Sequence, residues 1–294
     1  MDTDHGAAQR GHGHGHGSHG AGSDDSGMAE LLDLDAEVLH DYLTGVTGWI
    51  QQLSGNVPPS RILDLGAGTG TGTFALLDRF DAAEAVAVDM STQLLHHLTA
   101  HARSLGVADR VRTVEADLDA AWPAIGTVDL VWASASLHHM ADPDKVLGAL
   151  FDVLRPGGLL VVAELDSFPR FLPDDVGIGR PGLEERGHEA LSEARAADLP
   201  DLGSDWGARL SQARFAIEAE RSFVIELTPP LPAATGRYAQ VSLRRMRTAL
   251  ANKLSADDLR TLDTLLDSEG PTGIRQRDDL SVRAERTVWI ARRP

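Results

Sequence analysis

The run Ile62-Leu63-Asp64-Leu65-Gly66-Ala67-Gly68-Thr69-Gly70-Thr71-Gly72 narrows the possible folds more than any other feature of this 294-residue chain. An apolar stretch of strand character leads into a turn with glycine at every second position, and a helical stretch follows. Glycine lets a backbone bend sharply and approach a ligand, and the first amides of the next helix have no partner inside it. The segment therefore reads as one βα unit with a ligand site at its bend. A dinucleotide fingerprint, G-x-G-x-x-G, is interrupted: counting from Gly66 or Gly68, the sixth position is Thr71 or Thr73.

The same rhythm continues. Strand patterns at 61–65, 85–89, 111–115, 128–132 and 159–164 alternate with helical stretches, notably 143–154, which predicts βαβ units and a parallel sheet. Beyond Asp166 a loop rich in Pro, Gly and Arg leads to helical patterns near 183–197 and 206–215, a strand at 219–227, helices near 233–253 and 256–267, and a strand at 285–291. The expected fold is α/β: a doubly wound seven-stranded sheet, mostly parallel, with an antiparallel C-terminal hairpin. N-terminal helices and a helical insertion, in stretches of about 166–203 and 230–280, are expected to cover the active-site face.

Ahead of this core (57–294), Leu31, Leu34, Val38, Leu39, Tyr42, Val46, Trp49 and Ile50 recur at helical spacing, so 28–56 reads as a helical segment ended by Pro58 and Pro59. Residues 1–27 are Gly, His, Ser and Asp with no apolar periodicity, which predicts a disordered tail. His5, His12, His14, His16 and His19 could chelate a metal adventitiously, but the glycines between them fix no coordination geometry, and no metal is expected in the chemistry.

Composition removes several functions. With no cysteine, thiolate zinc sites and cysteine nucleophiles are excluded. A net charge of −17 argues against a phosphate-binding face, so no nucleic-acid partner is expected. Apolar runs such as 159–163 are too short to span a bilayer and the N-terminus lacks an apolar signal stretch, which predicts no membrane association and a cytoplasmic location. Oligomeric state leaves no mark on the sequence.

The segment Leu63 to Gly70 resembles the first motif of class I S-adenosylmethionine-dependent methyltransferases, an acidic residue followed by G-x-G-x-G. The resemblance implies that Gly66, Ala67, Gly68 and Gly70 lie against the methionine part of the cofactor, with Asp64 organising its amino group. Asp89 closes the second strand 19 residues beyond Gly70, where a carboxylate can accept both ribose hydroxyls, and Met90 would then pack on the adenine. Glu115-Ala116-Asp117-Leu118 resembles the adenine-edge segment, with Asp117 accepting from the exocyclic amine and the Leu118 amide facing a ring nitrogen; a loop or helix-capping Asp is the plainer alternative. The stretch from Val128 to His139 resembles the fourth strand and its loop in the small-molecule branch of the family, which adds Ala133 to the cofactor set. No D/N-P-P-Y segment is present. Leu154 to Val161 resembles the structural turn into strand five.

If the reaction uses a base, His138 is the first candidate and His139 the second, because both follow strand four near the carboxyl edge of the sheet; packing of the loop is the alternative role. His96, His97 and His101 fall on a surface helix. Tyr42, Trp49 and Tyr238 could roof the site, and Arg244, Arg245 and Arg247 could bind a substrate carboxylate or form a solvated face. The expectation is methyl transfer from S-adenosylmethionine to an O or N nucleophile of a small molecule. Its rivals are a regulatory or scaffolding protein that binds the cofactor without methyl transfer, and an NAD-linked dehydrogenase, which the interrupted fingerprint disfavours.

Overall fold

The computed structural model describes residues 21–294 apart from 56, 197–198, 268–269 and 271, with side chains from residue 27 onward. The histidines of the N-terminal segment lie outside the described residues. Two helices come first, α1 (Ala21–Val38) and α2 (His40–Leu53). α1 begins ahead of Met28, inside the stretch assigned to the tail. α2 buries Tyr42, Val46 and Ile50, four residues apart, as an amphipathic helix must.

After Pro58 and Pro59 the core alternates β1 (Arg61–Leu65), α3 (Thr71–Arg79), β2 (Glu84–Asp89), α4 (Thr92–Ser104), β3 (Val111–Glu115), β4 (Val128–Ser134), α5 (Pro143–Val153) and β5 (Leu154–Arg170). There follow α6 (Leu183–Arg195), α7 (Trp206–Gln212), β6 (Ala216–Leu227), α8 (Thr235–Ala249), α9 (Ala256–Leu266) and β7 (Val282–Arg292). Local chemistry sets several starts. Asp142 caps α5 by accepting from the Lys145 amide at 3.0 Å, with Pro143 in the first turn, and Ser91 caps α4 through the Leu94 amide at 3.2 Å.

The seven strands form one sheet in the order β3-β2-β1-β4-β5-β7-β6. Pairs among the first five strands are parallel, and β7 runs antiparallel between β5 and β6. Sheet growth reverses between β1 and β4, and the crevice beyond their carboxyl ends is where ligands bind in open α/β sheets. Alternate residues face opposite ways. Ile62, Leu130, Trp132 and Val161 join a core with α2 and α8, while Leu63, Val131, Ala133 and Val162 join one with Leu147 and Leu150 of α5. Cover on both faces explains why the central strands are apolar throughout.

Several strands outrun their sequence pattern, β6 and β7 by three residues at their starts and β4 and β5 at their ends. β4 continues to Ser134, which pairs with Ala163, and β5 runs from Leu154 to Arg170, so residues 166–170 are strand rather than the start of an insertion. The ladder with β7 sustains this length, continuing past Glu164 through Leu165–Arg286 to Arg170–Arg283 with irregular register. Among the described residues, no helix is long and apolar enough to cross a membrane.

Candidate active site

The glycine turn joins β1 to α3 over the carboxyl edge. Its first amides are spent on the sheet, Gly66 and Ala67 donating to the Val88 carbonyl at 2.9 and 3.0 Å. Gly66 has φ of +68°, and a Cβ there would stand 2.5 Å from Ser136 Cβ. Gly68 has φ of +53°, and its Cβ would meet Leu32 Cδ1 of α1 at 2.9 Å. The turn is therefore clamped between the β4 loop and α1, with room for main chain only. Gly70 stands at the N-cap of α3.

Asp64 lies beneath the turn, 2% exposed, with the Thr73 hydroxyl donating to Oδ2 at 2.6 Å. Burial pushes its carboxyl up to about 7, against the pull of Thr73. A carboxylate offers about four acceptor positions, so an Asp64 that borders a cavity has capacity left for a cationic donor. An ammonium group fits that need, and so does the amino group of S-adenosylmethionine.

Asp89 accepts from the Gly68 amide through Oδ2 and from the Ser91 amide through Oδ1, both at 2.8 Å. It thus fixes the glycine turn, a role its sequence position does not reveal, and each oxygen keeps a lone pair for a ligand hydroxyl. Replacing Asp89 with Ala is expected to weaken cofactor binding by about 1–3 kcal/mol through lost charged hydrogen bonds. Calorimetry reads this directly, and an unchanged affinity would remove the ribose assignment.

Met90 is 72% exposed beside it, a large apolar side chain open to a ring. Asp117 is exposed and accepts from the Asp119 and Ala120 amides at 3.0 and 3.4 Å, the geometry of a turn cap, while Leu118 is buried. The Ala116 amide donates to the Asp89 carbonyl at 3.0 Å and draws the ends of β2 and β3 together. Ala133 is fully buried on the α5 side of the sheet, so only its main chain could meet a ligand.

A cavity of about 480 Å³ opens at the switch point, and Asp64, Gly66, Ala67, Gly68 and His138 border it. Gly70, Asp89, Met90, Asp117, Leu118 and Ala133 do not. His138 is 4% exposed, and its Nδ1 lies 2.5 Å from Oε2 of Glu164, itself 3% exposed. The Leu137 amide donates to Oε1 of the same carboxylate at 3.1 Å. Sheet register makes this pair: Ser134 pairs with Ala163 and the Ala135 amide donates to the Ala163 carbonyl at 2.8 Å, so the β4 loop turns over the next residue of β5. A carboxylate receiving Nδ1–H fixes the tautomer and leaves Nε2 with a lone pair. The arrangement can accept a proton.

The wall of the cavity comes from α1, α2, α6 and α8. Tyr42 and Tyr238 line it as expected; Trp49 instead packs on Phe223, with the Arg221 guanidinium 4.8 Å above its ring. Asp35 of α1 ties the wall together, accepting from Arg286 at 2.6 Å and from the Tyr238 hydroxyl at 2.5 Å. Tyr42 is pushed up to about 12, chiefly by burial, with Arg286 beside it pulling the other way. Of the three arginines expected near α8, Arg245 borders the cavity, Arg247 pairs with Asp263 and Arg244 is exposed. On α4, His97 bonds Asp33 of α1 at 2.8 Å and His101 packs on Phe74. Glu164, Asp35 and Arg286 were not singled out by the sequence. Glu164 carries the one legible signal, an acidic residue directly after a run of five buried apolar positions.

Residues 62–158 match the family model described as a methyltransferase domain. The demethylmenaquinone methyltransferase of Thermus thermophilus is 38% identical over 112 residues, covering 38% of this chain and 50% of that protein. The trans-aconitate 2-methyltransferase of an Azoarcus species is 30% identical over 180 residues, covering 61% of this chain and 54% of that one. The chain thus spans about half the length of these curated relatives. A Bacillus halodurans C-125 protein solved as a candidate methyltransferase has a similar fold, with a TM-score of 0.54 and 19% identity over 84% of this chain and 98% of that one. Sheet order, glycine turn and matched segment together define the domain as that of the class I S-adenosylmethionine-dependent methyltransferases.

Proposed function

We propose that the chain transfers a methyl group from S-adenosylmethionine to an O or N nucleophile of a small molecule, with His138 as general base. The observation that carries this reading is the shared cavity: the Asp64–Gly68 turn and the His138–Glu164 pair border the same space. The relatives named above, whose names specify small-molecule substrates, and the net charge of −17 support an acceptor of that kind over nucleic acid. A cytoplasmic location belongs to the same proposal.

In this reading Asp64, the main chain of Gly66, Ala67, Gly68 and Gly70, Asp89, Met90, Asp117, Leu118 and Ala133 hold the cofactor. The bound cofactor supplies an electrophilic methyl on a sulfonium. His138 Nε2 would take the proton of the acceptor's O–H or N–H, and Glu164 would stabilise the imidazolium that forms. Helices from the stretches 166–203 and 230–280, with α1 and α2, exclude water from the reacting atoms; Leu191 and Leu243 supply part of that apolar wall. The test is formation of S-adenosylhomocysteine by the purified chain over a panel of small hydroxy and amino compounds. Turnover with one of them supports the enzyme, and cofactor binding with no turnover on any would favour the regulatory reading.

Asp64 adds a pH signature. Its carboxyl is raised to about 7, so the free protein holds a proton there at lower pH, and ionising it to meet an ammonium releases that proton. Affinity for S-adenosylmethionine is expected to rise between about pH 5.5 and pH 7.5, with proton release at the lower end. Binding enthalpies in buffers of different ionisation enthalpy measure that release. Asp64→Asn is expected to abolish it, and pH-independent affinity with no proton release would remove Asp64 from the ammonium site.

A further inference from the structure

The cavity wall holds a cation, Arg195, that forms no ion pair among the described residues. Along α6, Glu184, His188, Leu191 and Arg195 fall at helical spacing on one face and all border the cavity. Arg195 lies over the Phe168 ring, its guanidinium carbon 4.7 Å from the centroid. His188 stacks with the same phenylalanine at 6.3 Å, and its Nε2 is buried with no partner among the described residues. Among the described residues Arg195 forms no ion pair; the charge that bears on it most is another cation, Arg245 of α8, which together with burial lowers its pKa.

The carboxylates bordering this space are committed elsewhere. Asp35 holds Arg286 and Tyr238. Asp64 faces Thr73 and, in the proposed function, the cofactor's ammonium. Glu184 accepts the Phe171 amide at 2.8 and 3.0 Å and the Leu172 amide at 2.8 Å, and burial raises its carboxyl to about 7. A half-buried guanidinium beside another cation is costly unless something negative joins it. In a chain of net charge −17, a guanidinium held without an ion pair at an apolar cavity is a local feature with a local use.

We propose that the methyl acceptor carries a carboxylate, bound by Arg195 and His188 of α6 within the cavity that also holds His138. Guanidinium and carboxylate match in a two-bond fork, and the neutral His188 imidazole, which borders the same cavity, can donate a third hydrogen bond. Burial, then Arg170 and Arg195, pull the His188 pKa down to about 4, so its imidazole is neutral in the free protein. An anion beside it reverses part of that shift. Phe168 and the apolar wall take the ligand's carbon skeleton. Naming this ligand the acceptor rests on the methyl-transfer reading; the carboxylate site itself does not.

Three probes with the same phenol ring and nearly the same length separate the charges: 4-hydroxyphenylacetate, 4-hydroxyphenylethanol and tyramine, titrated calorimetrically into the full chain with and without S-adenosylhomocysteine. The carboxylate is expected to bind about tenfold or more tighter than the alcohol, with the amine weakest. Arg195→Gln is expected to erase the preference while S-adenosylhomocysteine affinity stays constant, and Arg195→Lys to restore part of it. In NMR titrations the His188 imidazole pKa is expected to rise when the carboxylate binds. Equal affinity for all three probes, no saturable binding of the carboxylate, or an undiminished preference in Arg195→Gln would each overturn the proposal. Failure of S-adenosylhomocysteine to bind would instead count against the cofactor reading, because the probe series is also read without it.

Discussion

His138→Ala is expected to lower turnover by about 10²–10⁴-fold while leaving S-adenosylhomocysteine affinity unchanged, since the imidazole acts on the acceptor's proton and not on the cofactor. Glu164→Gln keeps the size of the side chain but removes the charge that stabilises the imidazolium and sets the Nδ1–H tautomer. It is expected to cost less than His138→Ala, again with S-adenosylhomocysteine affinity unchanged, as a positioning residue should. Full activity across pH in His138→Ala would show that the histidine is no base. His138→Gln, which retains polarity at a site 4% exposed, guards against misreading a folding defect as a catalytic one.

Gly66→Ala is expected to damage fold and site together. The added methyl carries the strain of a left-handed backbone, about 1–2 kcal/mol, and presses on Ser136 Cβ at 2.5 Å, where overpacking adds about 1–3 kcal/mol. A total near 3 kcal/mol corresponds to a drop in Tm of roughly 5 °C for a chain of this size. Because Ser136 lies on the loop that carries His138, the same methyl pushes the cofactor turn away from the base, so weaker cofactor binding and lower turnover accompany the lost stability. Gly106→Ala is the control: φ there is +72° but nothing lies within 4 Å, so it should show the backbone strain alone. Equal Tm losses in the two variants would mean that the contact with Ser136 contributes nothing.

The glycine turn and the strand rhythm were legible in the sequence because both are written locally. β1 and β3 match their expected bounds to the residue, and the turn from Gly66 to Gly70 sits where the spacing placed it. What could not be read is what long-range pairing decides. β5 reaches Arg170 only because β7 lies beside it, and β7 comes more than a hundred residues later. The His138–Glu164 pair has the same origin: His138 was a candidate from its place after strand four, but its partner depends on the register between β4 and β5. The α6 wall is a third case. His188 and Arg195 share a face by helical periodicity, yet only the packing of α6 over the carboxyl edge, with Phe168 against both, turns that face into part of the cavity wall. Asp117 shows the opposite limit, since a motif position and a turn cap use the same carboxylate, and its cap is what the structure displays.

The central claim is that the crevice between β1 and β4 is an S-adenosylmethionine site. Isothermal titration calorimetry of the purified chain with S-adenosylmethionine, S-adenosylhomocysteine and NAD tests it most directly. Saturable binding of the two adenosyl compounds, with none of NAD, is the expected result; binding of NAD alone, or of none of the three, would contradict it.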